Sequence, residues 1–163
     1  MEYDIQSIKP KKTENVIKIE IHDEDDKDTG EFLTFDLEDV STALNWQECV
    51  EAHKRNVAYI KNQQVIISKK QDHKGKKPLS SNEEEFAKSV REFYEREIKA
   101  LDMFIGEGKT ETILKVMGRK PYLSMFQDIM EMIEPIFPVI EKAYKDFKVE
   151  IEKKYKVEDD ILE

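Results

Sequence analysis

Val16-Ile17-Lys18-Ile19-Glu20-Ile21-His22 and Glu31-Phe32-Leu33-Thr34-Phe35-Asp36-Leu37 decide the fold class of this chain. In the first stretch Ile17, Ile19 and Ile21 alternate with Lys18, Glu20 and His22, the period-two mark of a half-buried strand. In the second, Leu33, Phe35 and Leu37 share one face and Phe32 falls on the other. An acidic loop that ends in Gly30 joins them, so residues 16–37 are expected to form a β-hairpin. A two-stranded hairpin is marginal alone, so this one must pack on helices or pair with another chain.

Downstream the period changes from two to three and four. Asp39 or Ser41 can cap a helix over about 40–68. Ala43, Trp46, Val50, His53, Val57, Ile60, Gln64 and Ile67 form its seam, of the kind that packs within a bundle. A basic loop punctuated by Gly75 and Pro78 follows. Ser81 and Glu84 read as a capping box for a helix over 81–105. Its face carries Phe86, Val90, Phe93, Glu97 or Ile98, Leu101 and Ile105, and Gly106-Glu107-Gly108 stops it. Thr110 can cap a short helix over 110–117 that holds Ile113, Leu114 and Met117.

Pro121 suits the first turn of a last helix over 121–156. Leu123, Phe126, Met130, Ile133, Phe137, Ile140, Tyr144, Phe147, Ile151 and Tyr155 step along it. Pro135 and Pro138 should kink this helix or split it in two. Residues 1–15 read as an extended lead-in and 158–163 as an acidic tail. The expectation is therefore a single α+β domain over 16–157, mostly α, with an N-terminal β-hairpin packed on three to four helices and a Pro-kinked last helix.

Composition removes several function classes. The chain has 36 Asp+Glu against 27 Lys+Arg, a formal net charge of −9. Phosphate contacts need clustered Lys and Arg, so nucleic acid and anionic membrane surfaces are unfavourable partners. No run of about 18 apolar residues is present, which excludes a membrane-spanning helix. Met1-Glu2-Tyr3-Asp4 carries no apolar signal core, and the one cysteine, Cys49, cannot form an internal disulfide; both lead to an expected cytoplasmic location. The chain is 39% charged, between globular and disordered compositions, but its 8 Phe, 6 Tyr and one Trp can build a core.

Constellations for chemistry are few. The acidic loop fails as a calcium loop: counted from Asp23, the fifth position is Lys27, the sixth is Asp28 rather than Gly, and Thr34 stands where a bidentate Glu belongs. Cys49 and His53 lie four apart on one helix and can meet, but no third group or oxyanion loop accompanies them, so a structural pairing is expected. Residues 69–77 hold five lysines and one aspartate, a local charge of +4, without aromatic residues for base stacking. Gly106-Glu107-Gly108 lacks the spacing of a phosphate loop. The methionines Met117, Met125, Met130 and Met132 are expected in the core. No catalytic residue, cofactor or metal is assigned, and a non-enzymatic interaction protein is expected.

A resemblance adds to this reading. Glu2-Tyr3-Asp4-Ile5, Phe35-Asp36-Leu37, Phe93-Tyr94 and the run Asp102-Met103-Phe104-Ile105-Gly106-Glu107-Gly108-Lys109-Thr110, with Val116-Met117-Gly118-Arg119 after it, resemble the tail assembly chaperone-like proteins of tailed phages and prophages of Gram-positive bacteria. The resemblance covers most of residues 1–140 in order. It implies a non-enzymatic protein of the bacterial host cytoplasm that binds the tape measure protein, the major tail protein or both, and that forms homo-oligomers. A helical adaptor, or a phage anti-host protein with a single partner, is the alternative. The residues expected to bind partners are Phe32 and Leu33 on the hairpin, and Met132, Ile136 and Phe137 near the kink.

Overall fold

The computed structural model describes residues 15–156. The lead-in up to residue 14, with Glu2-Tyr3-Asp4-Ile5, and the acidic tail over 158–163 lie outside the described residues. The order is β1 (Val16–His22), β2 (Asp28–Asp36), α1 (Val40–Ser68), α2 (Ser81–Ile105), α3 (Lys109–Met117), α4 (Met125–Ile133), a 3₁₀ turn (Glu134–Ile136) and α5 (Phe137–Lys154). The chain is α+β and mostly α, with its hairpin at the N-terminal side.

β1 and β2 pair antiparallel, Ile17 opposite Phe35 and Ile19 opposite Leu33. The alternation does what the sequence requires: Leu33 and Phe35 are each 2% exposed, while Phe32 points outward under the Lys18 ammonium at 4.1 Å. The register slips between Glu20 and His22. Gly30, at φ 82°, lies in the irregular part of β2, and the Thr29 hydroxyl donates to the Ile21 carbonyl at 2.6 Å. At the tip an Asp23 carboxylate oxygen accepts from the Asp25 and Lys27 amides, both at 2.9 Å, so this acid holds a turn.

α1 and α2 form a long antiparallel pair. Asp39 caps α1, accepting from the Ser41 amide at 2.8 Å. At the other end the Asn82 amide group donates to the Ile67 and Lys70 carbonyls, and Asp72 accepts from the Asn82 amide at 3.0 Å. The cap of α2 lies one residue earlier than Ser81 and Glu84: Ser80 and Glu83 make the reciprocal bonds, with Ser80 buried. The α1 seam is also displaced. Its buried positions are Cys49, Ala52, Asn56 and Ile67, whereas Val50 and Val57 are only half-buried. Two small residues there let α2 approach closely, and Asn56 supplies a donor that α2 needs.

Thr110 does not cap α3 from its own chain end. The carboxylate of Asp102, on the last turns of α2, accepts from the Gly108 amide at 3.0 Å, the Thr110 amide at 3.1 Å and the Thr110 hydroxyl at 2.6 Å. Asp102→Ala should cost about 2 kcal/mol, because it strips three bonds and leaves the fully buried Thr110 hydroxyl without its acceptor. Urea melts check this, and a loss below about 0.5 kcal/mol would contradict it.

The last helix is split, as Pro135 and Pro138 require, and it starts at Met125 rather than at 121. Phe126, Ile129, Met130, Ile133, Ile136 and Ile140 enter the core, joined there by Leu101, Phe104 and Ile113. Of the methionines, Met125 and Met130 are buried, but Met132 is exposed and does not belong to the core.

Candidate partner-binding surface

The five residues expected at the surface separate. Phe32 and Met132 are exposed, Met132 at 55%. Leu33 and Ile136 are not surface residues: Leu33 is 2% exposed on the core face of β2, and Ile136 is 6% exposed where the 3₁₀ turn folds inward. Phe137 is half-buried, its ring stacked on Trp46 at 4.6 Å and 14°, so it belongs to the packing between α1 and α5. The hydrophobic surface that remains lies further along the chain.

α4, the turn and α5 run antiparallel to α1. His53 faces Phe126 at 3.9 Å, Trp46 faces Phe137, and Ala43 and Val40 line one crevice with Ile140 and Phe147. By Phe147, α5 has therefore reached the first turn of α1. Its apolar stripe continues at helical spacing through Tyr144, Phe147, Ile151 and Tyr155, all exposed, and Ile140 is the one buried residue of the helix. Beside the stripe, a groove between α1 and α5 is lined by the apolar Ala43, Leu44, Trp46, Val50 and Tyr144, together with Gln47, Glu51, Lys54 and Glu141. Singly scattered exposed apolar residues need no account, but a stripe continuous with a groove has the shape that receives an amphipathic helix.

A polar cluster where α1, α2 and α4 meet was not among the expectations from sequence. Glu97 on α2 is 1% exposed. Its carboxylate accepts from the Asn56 amide group at 2.8 Å and meets His53 Nδ1 at 2.6 Å, and the His53 ring lies flat on Phe126. Burial raises the Glu97 pKa above the ordinary glutamate value, against the opposing effect of Asn56 and His53. His53 thus pairs with Glu97, not with Cys49. Burial, reinforced by the Glu97 charge, pushes the Cys49 thiol up to about 12, so it stays protonated and unreactive at neutral pH. The signal available in the sequence was a glutamate at a seam position, opposite a seam that itself carried a histidine.

Among the described residues one group can gather metal-type ligands: Glu20, His22 and Asp28, whose ligand atoms lie within 4.8 Å of one another. All three are exposed, and His22 is already held by Asp26 at 2.9 Å and Glu20 at 3.2 Å, bonds that raise its pKa. No helix among the described residues is long and apolar enough to cross a membrane. Compared with protein-family models, with curated proteins and with solved structures, the chain matches none of them.

Proposed function

We propose that this chain is a non-enzymatic tail assembly chaperone, which holds an amphipathic helix of the tape measure protein, the tail tube protein or both, in the bacterial cytoplasm during phage tail assembly. The observation that carries the reading is the α5 stripe, Tyr144, Phe147, Ile151 and Tyr155, that outruns the core of its own domain. A helix laid against this stripe and the neighbouring groove would bury apolar surface on both chains, at roughly 25 cal/mol per Å². Leu44 and Trp46 on α1 would form the opposite wall, and Glu51, Lys54 and Glu141 would offer charges of both signs to polar residues beside the partner's apolar stripe.

The test is co-expression with a tape measure fragment, scored by soluble complex. Wild-type chain should hold the fragment in solution, and Tyr144→Asp with Ile151→Asp should weaken capture about tenfold or more, since each charge would be desolvated at the interface. Both side chains are partly exposed, so the variant should remain folded by circular dichroism, which separates lost capture from lost structure. A fragment that stays insoluble with wild-type chain, or equal capture by the variant, would overturn the reading.

A further inference from the structure

The two ends of the α1–α2 pair differ in what they present. At the end away from the hairpin, Val65, Ile66 and Leu79 are exposed aliphatic side chains. The acids at this end are engaged: Asp72 with Ser81 and Asn82, Glu83 in the capping box, Glu84 with Lys88, and Glu85 with Lys70 at 2.6 Å. Lys69, Lys74, Lys76 and Lys77 are exposed and make no ion pair among the described residues. Asp72 and Glu83 bond only uncharged groups and keep their charge, but the lysines outnumber the acids, so the end is cationic and aliphatic together in a protein whose net charge is −9.

The chain carries a complementary composition beyond α5. Residues 157–163 read Val157-Glu158-Asp159-Asp160-Ile161-Leu162-Glu163, four carboxylates to match four lysines and three aliphatic residues to match three. Within one molecule the two cannot meet. α5 runs antiparallel to α1 and has reached its first turn by Phe147, so it delivers residue 156 at the opposite end. From Val40 to Ile66 the helix rises about 39 Å, at 1.5 Å per residue. Seven residues, fully extended, span at most about 25 Å.

We propose that the chain associates head to tail, residues 157–163 of one copy binding the Lys69–Lys77 end of the α1–α2 pair of the next. Such an interface is heterologous: each copy keeps one free donor segment and one free acceptor end, so the assembly grows with concentration rather than closing as a two-fold dimer. Screening of its ion pairs makes it salt-sensitive, and the aliphatic contacts give it direction and register. This inference is independent of what the α5 stripe binds.

Sedimentation velocity on the full chain tests it. At low salt the mean mass should climb above 19.3 kDa with concentration and fall back in high salt. Lys74→Glu with Lys76→Glu and Lys77→Glu should weaken association about tenfold or more, and so should Glu158→Lys with Asp159→Lys and Asp160→Lys. Mixing the two variants, or combining all six changes in one chain, should restore it, because the charges are again complementary. Circular dichroism confirms that each variant is folded. A wild-type chain that stays at 19.3 kDa throughout, association unaffected by either reversal, or no recovery on mixing folded variants would each overturn the proposal.

Discussion

Phe104→Ala is expected to lower the stability of the protein by about 4 kcal/mol, in the range for removing a large aromatic ring from a packed core. The ring sits where four elements meet. Its centroid lies 5.0 Å from Phe35 of β2, 6.4 Å from Trp46 of α1 and 6.1 Å from Phe137 of α5, and Phe104 itself belongs to α2. Deleting it opens a void among three aromatic neighbours that cannot all move inward, since each is anchored on a different element. The hairpin should suffer most, because two strands alone are marginal and Phe35 is its main anchor. Trp46 is the one tryptophan of the chain, so its fluorescence reports the site directly in a denaturant titration. A loss below about 1 kcal/mol would show that the ring is not the junction that its contacts indicate.

Glu97→Leu is expected to cost about 3 kcal/mol, although it replaces a charge by an apolar side chain in a buried position. The reason is what remains: the buried Asn56 amide group loses its acceptor, and His53 loses the carboxylate that holds its ring against Phe126. Glu97→Gln keeps an acceptor for Asn56 and should cost about 1 kcal/mol. The two variants also separate charge from hydrogen bonding through pH. Burial places the Glu97 pKa above its unfolded value, so the folded chain holds a proton that the unfolded chain releases. That contribution is fully present below the ordinary glutamate range and is lost as pH rises through the raised value. The stability difference between wild type and Glu97→Gln should therefore shift in favour of wild type as pH falls. Comparison with the variant cancels Asp72, Glu83 and Glu92, whose lowered pKa values act in the opposite direction, giving stability above the ordinary carboxylate range that is lost on acidification. A pH-independent difference would contradict the burial argument.

Much of the fold was legible because it rests on local rules. The hairpin follows from alternation, the start of α1 from the Asp39 cap, the end of α2 from its glycine stop, and the break at Glu134–Ile136 from two prolines three apart, whereas the α2 cap falls on Ser80 and Glu83, one residue before the expected pair. Local rules failed where a distant residue supplied the bond. Asp102 caps α3 from the preceding helix, so Thr110 only looked like a cap. Asn56 and Ala52 displaced the α1 seam because Glu97, forty-one residues beyond Asn56, needed a donor there. For the surface, exposure of Phe32 was readable from strand alternation, while the burial of Leu33 and Ile136 removed two of the expected contacts.

The sequence alone determined the class of the protein, the order of its elements and the segregation of charge, since these depend on periods, caps and composition. It could not divide the α5 stripe. From Phe137 to Tyr155 the apolar spacing is continuous, yet Ile140 is buried and Tyr155 is 62% exposed. The tertiary structure made that division: β2 turns into α1 at Glu38 and Asp39, and among the described residues α5 runs on past that turn. A residue is core only where another element lies opposite, and the position of that element is not written in the helix that needs it.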